Sequence, residues 1–278
     1  MSWRDLPAPG RPYAEVIGDP IAHSKSPLIH GHWLAALGLD ADYRTAHVPQ
    51  GELAAYLEAR AQDTDWRGCN VTIPHKVEAL SLATRADGLA GTVGAANLLV
   101  NSEKGETAAF NTDVPGFLEG LPEELPAQAV VIGAGGAARA VLAALTALGG
   151  IEVVLVNRDQ AKARALAKEF DAVTDVRTLE AGFRGDEAGL LVNASALGMT
   201  GKEPLEIDLS SLPKGAVVYD LVYAPLETGL LAEARRCGLV AIDGLAMLIG
   251  QAATAFTLLF GAEPPRGDDA ALRRTLTA

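Results

Sequence analysis

Apolar positions along this chain come in short runs, most of them closed by glycine or proline, and the spacing inside each run predicts its element. Residues 13–18 read as a first strand that ends at Gly18-Asp19-Pro20. Beyond Ser24-Lys25-Ser26-Pro27, Leu28, Leu34, Leu37 and Leu39 give a helical face, with Ser26 suited to the N-cap and Pro27 to the first turn. A weakly alternating strand over 42–48 and a helix over 52–61 follow. Residues 68–74 read as a strand that puts Asn70 and Thr72 on one face, two positions apart. A polar row on a buried strand is costly unless something bonds to it. Pro74 opens another helix and brings Lys76 into its first turn, where a cation opposes the helix dipole, so capping does not explain it. Asn97 stands alone within the apolar run 91–101, and a hairpin turn over 102–105 leads back to Asn111-Thr112-Asp113, with Asp113 placed to cap the next helix.

A linker over 122–126 precedes the most informative stretch. Residues 128–132 are a buried strand, Gly133-Ala134-Gly135-Gly136 a tight turn, 137–148 an Ala- and Leu-rich helix ending at Gly149-Gly150, and 151–156 the next strand. A strand, a glycine turn and a helix in that order present backbone N–H groups and the positive helix end to an anion. Gly133 permits the turn, Gly135 lets a pyrophosphate approach the backbone, and Ala138 lets helix and strand pack closely. The βαβ unit therefore predicts dinucleotide binding. Further strands at 190–193, 216–221 and 240–243, a helix at 227–237 and a terminal helix after Pro264-Pro265 extend the alternation. Such alternation implies a parallel, doubly wound sheet.

The 278 residues leave room for one large domain or two ordinary ones, and 49% apolar content supplies a core. A net charge of −12 with no basic stripe argues against nucleic acid. Cys69 and Cys237 match no metal-ligand spacing and read as reduced thiols of a cytoplasmic protein, and the five histidines form no zinc pattern, so no metal is expected. The first residues lack an apolar h-region and do not read as a leader. Residues 244–262 carry no charge over 19 positions, near a spanning length, yet include Gln251, Thr254 and Thr257; they read as a buried helix, not a membrane span.

Cofactor choice turns on the end of the second strand of the βαβ unit, where an NAD site places Asp or Glu for the ribose 2′-OH. Here stand Asn157-Arg158, with Lys162 one turn on, and a guanidinium suits a 2′-phosphate. Asp159 either caps the helix from Gln160 or repels that phosphate and admits NAD. NADP is the expectation.

Gly18-Asp-Pro-Ile-Ala-His-Ser-Lys-Ser-Pro27, Cys69-Asn-Val-Thr-Ile-Pro-His-Lys76, Gly94-Ala-Ala-Asn97, Phe110-Asn-Thr-Asp113, the glycine turn, Asn157-Arg158, Asn193-Ala-Ser-Ala-Leu-Gly-Met199 and Asp243-Gly-Leu-Ala-Met-Leu-Ile-Gly-Gln251 occur in that order. Together they resemble the shikimate dehydrogenase family. The resemblance implies an α/β substrate domain over 1–112, completed by helices of 245–278, and a Rossmann NADP-binding domain over 113–244. It implies reduction of 3-dehydroshikimate to shikimate with NADPH, by a cytoplasmic monomer or homodimer. Carried over by motif, Ser24 and Ser26 hold the substrate carboxylate, and Thr72, Asn97, Asp113, Tyr223 and Gln251 its hydroxyls. Lys76 and Asp113 are the catalytic pair. Gly133, Ala134, Gly135, Gly136, Ala137, Asn157, Arg158, Asp159 and Lys162 surround the dinucleotide, and Leu221, Gly244 and Met247 lie near its nicotinamide. These residue types fit the chemistry: hydride arriving at a ketone leaves alkoxide character on oxygen, which a positioned ammonium stabilises and protonates. One departure is Leu98, where the family commonly has Thr. Both ligands are anions, so local Lys25, Lys76 and Arg158 must act against an unfavourable mean field. The rival readings are a relative acting on quinate or an aminoshikimate with NAD, and a nucleotide-binding regulator without turnover.

Overall fold

A computed structural model of the chain describes residues 2–102, 105–179 and 188–277. The chain folds as two compact units. The first joins 1–112 to 251–278, and the second is 113–250.

The first unit is built on strands β1 (Tyr13–Gly18), β2 (Asp42–His47), β3 (Trp66–Val71), β4 (Arg85–Ala86), β5 (Leu98–Asn101) and β6 (Thr107–Phe110). Helices α1 (Ser26–Leu37), α2 (Leu53–Ala61), α3 (Lys76–Leu82) and α4 (Gly88–Val93) connect them. The sheet order is β2-β1-β3-β5-β6-β4. β1 pairs parallel with β2 and β3, whereas β5 runs antiparallel to both β3 and β6, so this sheet is mixed. The hairpin expected at 102–105 joins β5 to β6, but Glu103 and Lys104 lie outside the described residues.

Three local expectations are corrected here. Ser26 is the first residue of α1, not its cap: Lys25 occupies the cap position, and the Ser24 hydroxyl accepts the Ser26 N–H at 3.3 Å. The buried face of α1 is Ile29, His30, Trp33 and Leu34, while Leu28, Leu37 and Leu39 are exposed. β3 ends at Val71, so Thr72 lies just past it in the turn to α3; its N–H still donates to the Ile17 carbonyl at 2.9 Å.

His30 is fully buried, stacked on Tyr43 at 3.9 Å between ring centroids and edged by Trp33. Neither ring nitrogen has a hydrogen-bond partner among the described residues. Desolvation holds its pKa down at about 3, against an ordinary 6.5. Between those values the unfolded chain binds a proton that the folded chain refuses, so stability rises with pH over that window and is flat above it. The slope from this residue is about 1.4 kcal/mol per pH unit. Urea midpoints at pH 7.5 and 5.0 check this: the loss on acidification should be smaller by about 2 kcal/mol in His30→Phe. Equal losses in the two proteins would refute the assignment.

The second unit opens with α5 (Asp113–Glu119) and continues through β7 (Gln128–Ile132), α6 (Gly136–Leu148), β8 (Glu152–Val156), α7 (Gln160–Ala167), β9 (Val173–Arg177), β10 (Leu190–Asn193), β11 (Val217–Asp220), α8 (Gly229–Arg236) and β12 (Val240–Ile242). α5 begins at Asp113 itself, so this carboxylate is in the first turn and the expected N-cap position is corrected by one residue. The sheet order β12-β11-β10-β7-β8-β9 is wholly parallel. Numbered from β7, that is 3-2-1-4-5-6 read from the other edge, the doubly wound order whose direction reverses between β7 and β10. β9 escaped the sequence reading because Val-Thr-Asp-Val-Arg is a half-exposed edge strand with no clean alternation.

The uncharged run forms α9 (Leu245–Phe260), and the division between the units falls after Gly250, partway along it. No helix among the described residues is long and apolar enough to cross a membrane. α10 (Asp269–Thr277) buries Leu272 and Leu276. The Leu276 carbonyl accepts from Lys25 Nζ, which ties the chain end to the start of α1.

Candidate active site

In the first unit, side chains distant in sequence converge on Asn97, which is 2% exposed. Its Nδ2 donates to Thr112 Oγ1 at 2.8 Å and to Gln251 Oε1 at 3.4 Å, and its Oδ1 accepts the Thr112 N–H at 2.6 Å. Thr112 Oγ1 in turn donates to Gln251 Oε1 at 3.4 Å. The Asn97 carbonyl accepts from Val71 N–H at 2.7 Å and Asn70 Nδ2 at 3.4 Å, and Asn70 Oδ1 accepts from Tyr43 Oη at 2.7 Å. Burial pushes the Tyr43 phenol well above its ordinary value of 10, so it stays a donor. Asn70, the polar position that looked costly on its strand, is therefore bonded through both ends of its amide.

Lys76 heads α3 and is half-buried. Its backbone carbonyl accepts the Ala96 N–H at 2.8 Å, which fastens the start of this helix to the residue before Asn97. His75 is buried and its Nε2 bonds the Val48 carbonyl at 2.7 Å. Gly18 lies close by: a Cβ there would come within 2.6 Å of Thr72 Cγ2. The Gly18 loop is thus pressed against the Thr72 turn, and its continuation carries half-buried Ser24 and buried Ser26. Asp113, buried, follows Thr112 directly in the chain.

In the second unit, Gly133 has a φ of +119°, and a Cβ there would lie 2.7 Å from the Ala194 carbonyl oxygen. Only glycine satisfies both constraints. The two loops meet at the point where the strand order reverses, where open α/β sheets bind ligands. Gly135 precedes α6 with no side-chain cap, is exposed, and has open space where a Cβ would sit. Ala134 is buried and Ala137 half-buried alongside it. Uncapped N–H groups, the helix dipole and room above the backbone fit a dinucleotide pyrophosphate.

At the end of β8, Arg158 and Lys162 are exposed, and among the described residues no carboxylate forms an ion pair with Arg158. Asp159 caps α7: its Oδ1 accepts the Lys162 N–H at 3.0 Å, and its carbonyl accepts from Asn157 Nδ2 at 2.9 Å. Leu221 and Tyr223 follow β11, both half-buried, and burial raises the Tyr223 phenol above 10. Gly244 packs so closely that a Cβ would be 2.4 Å from the Leu221 carbonyl oxygen, and buried Met247 follows it on α9.

Sequence reasoning named Asn97 and Gln251 but missed Thr112, although its motif contained it. A hydroxyl flanked by Asn111 and Asp113 carries no periodicity of its own.

A lobe with a buried amide–hydroxyl cluster and a lysine-headed helix, and a lobe with Rossmann order and an uncapped glycine turn, define a dinucleotide-dependent α/β oxidoreductase. Residues 16–99 match the model of the shikimate dehydrogenase substrate binding domain, and residues 121–184 that of shikimate / quinate 5-dehydrogenase. The chain is 53% identical to the shikimate dehydrogenase (NADP(+)) of Sphingopyxis alaskensis over 96% of its own length and 97% of the relative's. Shikimate 5-dehydrogenase from Thermus thermophilus, solved with NADP(H) and shikimate, superposes with a TM-score of 0.82 at 39% identity, covering 95% of this chain and 99% of that one. Quinate dehydrogenase from Corynebacterium glutamicum, solved with NAD, gives 0.84 at 32% identity, covering 95% and 98%. The chain belongs to the shikimate dehydrogenase family.

Proposed function

We propose that this chain catalyses the reversible reduction of 3-dehydroshikimate to shikimate with NADPH, a step toward chorismate and the aromatic amino acids. The observation that carries the reading is the buried Asn97–Thr112–Gln251 cluster, fastened through Ala96 to the helix that Lys76 heads. Buried amide and hydroxyl groups in that arrangement recognise a ring bearing several hydroxyls.

NADPH, when bound, supplies the hydride. Ser24 and Ser26 hold the substrate carboxylate, and Thr72, Asn97, Asp113, Tyr223 and Gln251 hold its hydroxyls. Lys76 Nζ donates to the ketone oxygen and delivers the proton as negative charge develops there. Asp113 orients the lysine and accepts from the neighbouring hydroxyl. Gly133 to Ala137 receive the pyrophosphate on the α6 N-terminus, and Asn157, Arg158 and Lys162 take the adenosine end. Leu221, Gly244 and Met247 wall the nicotinamide. Leu98 is buried in β5 and adds no hydroxyl beside Asn97. The protein acts in the cytoplasm, as a monomer or homodimer; both cysteines are free, as a reducing compartment requires.

A spectrophotometric assay of shikimate with NADP against quinate with NAD tests the assignment. Turnover confined to quinate and NAD would transfer it to the rival relative, and nucleotide binding without any turnover would make the chain a regulator. The NADP preference has its own check. Arg158→Ala should weaken NADPH by about 10–100-fold, the cost of a lost hydrogen bond to a charged group, and NADH by much less. Equal losses for the two nucleotides would mean that Arg158 does not read the 2′-phosphate.

A further inference from the structure

We infer that Asp220 is a positioning residue for the dinucleotide: its buried carboxylate, bonded to Asn193, Val222 and Thr228, holds the loops after β10 and β11 in the arrangement that walls the glycine turn. The inference rests on the NADP-dependent reading above and concerns residues that reading leaves without a role.

Asp220 and Asn193 are both fully buried, at the ends of adjacent strands. Asp220 Oδ1 accepts from Asn193 Nδ2 at 2.9 Å and from Val222 N–H at 3.1 Å, and Oδ2 accepts from Thr228 Oγ1 at 2.6 Å. Asn193 Nδ2 also donates to the Leu197 carbonyl at 3.0 Å, while its Oδ1 accepts from Ser195 N–H at 3.1 Å and Ser195 Oγ at 2.7 Å. Both hydrogens and both lone-pair directions of the amide are used, which fixes its orientation. Thr228 has a second task, since its Oγ1 accepts the Leu231 N–H at 3.3 Å and caps α8.

The consequence is geometric. Residues 194–197, held by Asn193, include the Ala194 carbonyl against which Gly133 is packed. Residues 221–222, held by Asp220, include the carbonyls against which Gly244 is packed. One carboxylate therefore sets the backbone opposite the pyrophosphate turn and the backbone that carries Leu221 and Tyr223. A buried carboxylate costs several kcal/mol in desolvation unless its acceptors are filled. An apolar pair at the ends of β10 and β11 would avoid that cost, and it would leave both loops without these fixed bonds.

The test titrates NADPH by its fluorescence and shikimate by calorimetry, alongside thermal unfolding. Thr228→Val removes the hydroxyl and keeps the shape; Thr228→Ser keeps the hydroxyl; Asp220→Asn keeps two acceptor bonds and can reverse the third. Thr228→Val should raise the NADPH Kd about tenfold, within the cost of one hydrogen bond to a charged group, with shikimate affinity changed less than about twofold. Thr228→Ser should restore NADPH binding, and Asp220→Asn should fall between. Thr228→Val that unfolds at lower temperature yet binds NADPH as tightly as the parent would overturn the inference alone. A parent protein that binds neither NADPH nor NADH would overturn the functional reading and this one with it.

Discussion

Lys76→Ala is expected to lower kcat by about 10²–10⁴-fold, the range that a positioned general acid contributes, while shikimate binding stays within about threefold. The split follows from where the groups sit. Substrate recognition is assigned to the serines of the Gly18–Ser26 loop and to the Asn97–Thr112–Gln251 cluster, whose members bond one another. The lysine backbone, which bonds Ala96, survives the substitution. Alanine is also the better residue at this position on helix grounds, because it removes a cation from the positive end of α3. The variant should therefore fold, and its melting temperature serves as the control. What disappears is the ammonium that meets the developing alkoxide, an interaction made mainly in the transition state, so the loss falls on kcat. Steady-state kinetics with saturating NADPH, together with a direct shikimate titration, measure both halves. A loss confined to KM would make Lys76 a binding residue and remove it from the chemistry.

How much of this was legible in the sequence depends on the range of the interaction involved. The glycine turn was readable because local geometry dictates it: φ at Gly133 is +119° and β7, α6 and β8 follow one another without interruption. Lys76 stood out because helix capping could not account for it. The face of α1 was misjudged by a purely apolar count. His30 faces inward and packs on Tyr43, whereas Leu28 and Leu37 face out. Buried histidine looks polar in any pattern. The capping role of Asp159 was one of two readings of that residue, and the bond from the Lys162 N–H shows the cap. Least readable were the long-range polar clusters. Asn97 meets Gln251 across 154 positions, and Asn193 meets Asp220 across 27. A polar residue at the end of a strand reads as the start of a loop until its partner is known. Such pairs carry specificity through an alignment of elements that periodicity does not encode.

Glu15→Ala is the substitution expected to cost most in stability, about 3–5 kcal/mol against a total of about 5–15 for a typical domain. Glu15 sits in the middle of β1, is 0% exposed, and receives four donors on two oxygens. Tyr56 Oη donates to Oε2 at 2.7 Å, Arg60 Nε to Oε2 at 2.8 Å, Arg60 Nη2 to Oε1 at 3.1 Å and Arg44 Nε to Oε1 at 3.1 Å. The arginine most affected is Arg60, whose side chain is only 10% exposed and whose remaining bond is to the Trp3 carbonyl at 3.3 Å. Removing the carboxylate leaves that guanidinium buried without its counter-charge, and leaves the Tyr56 hydroxyl without its acceptor. The penalty is that of the stranded partners more than of the lost pair, so removing both charges should be milder than the sum. Differential scanning fluorimetry on Glu15→Ala, Arg60→Ala and the double variant separates these contributions. The first should melt about 10 °C below the parent protein. The double variant should melt above the value obtained by adding the two single losses. A Glu15→Ala protein that melts with the parent would show that water reaches Arg60 in place of the carboxylate, and that this lobe is held by its apolar core around Trp3, Tyr56 and Trp66 alone.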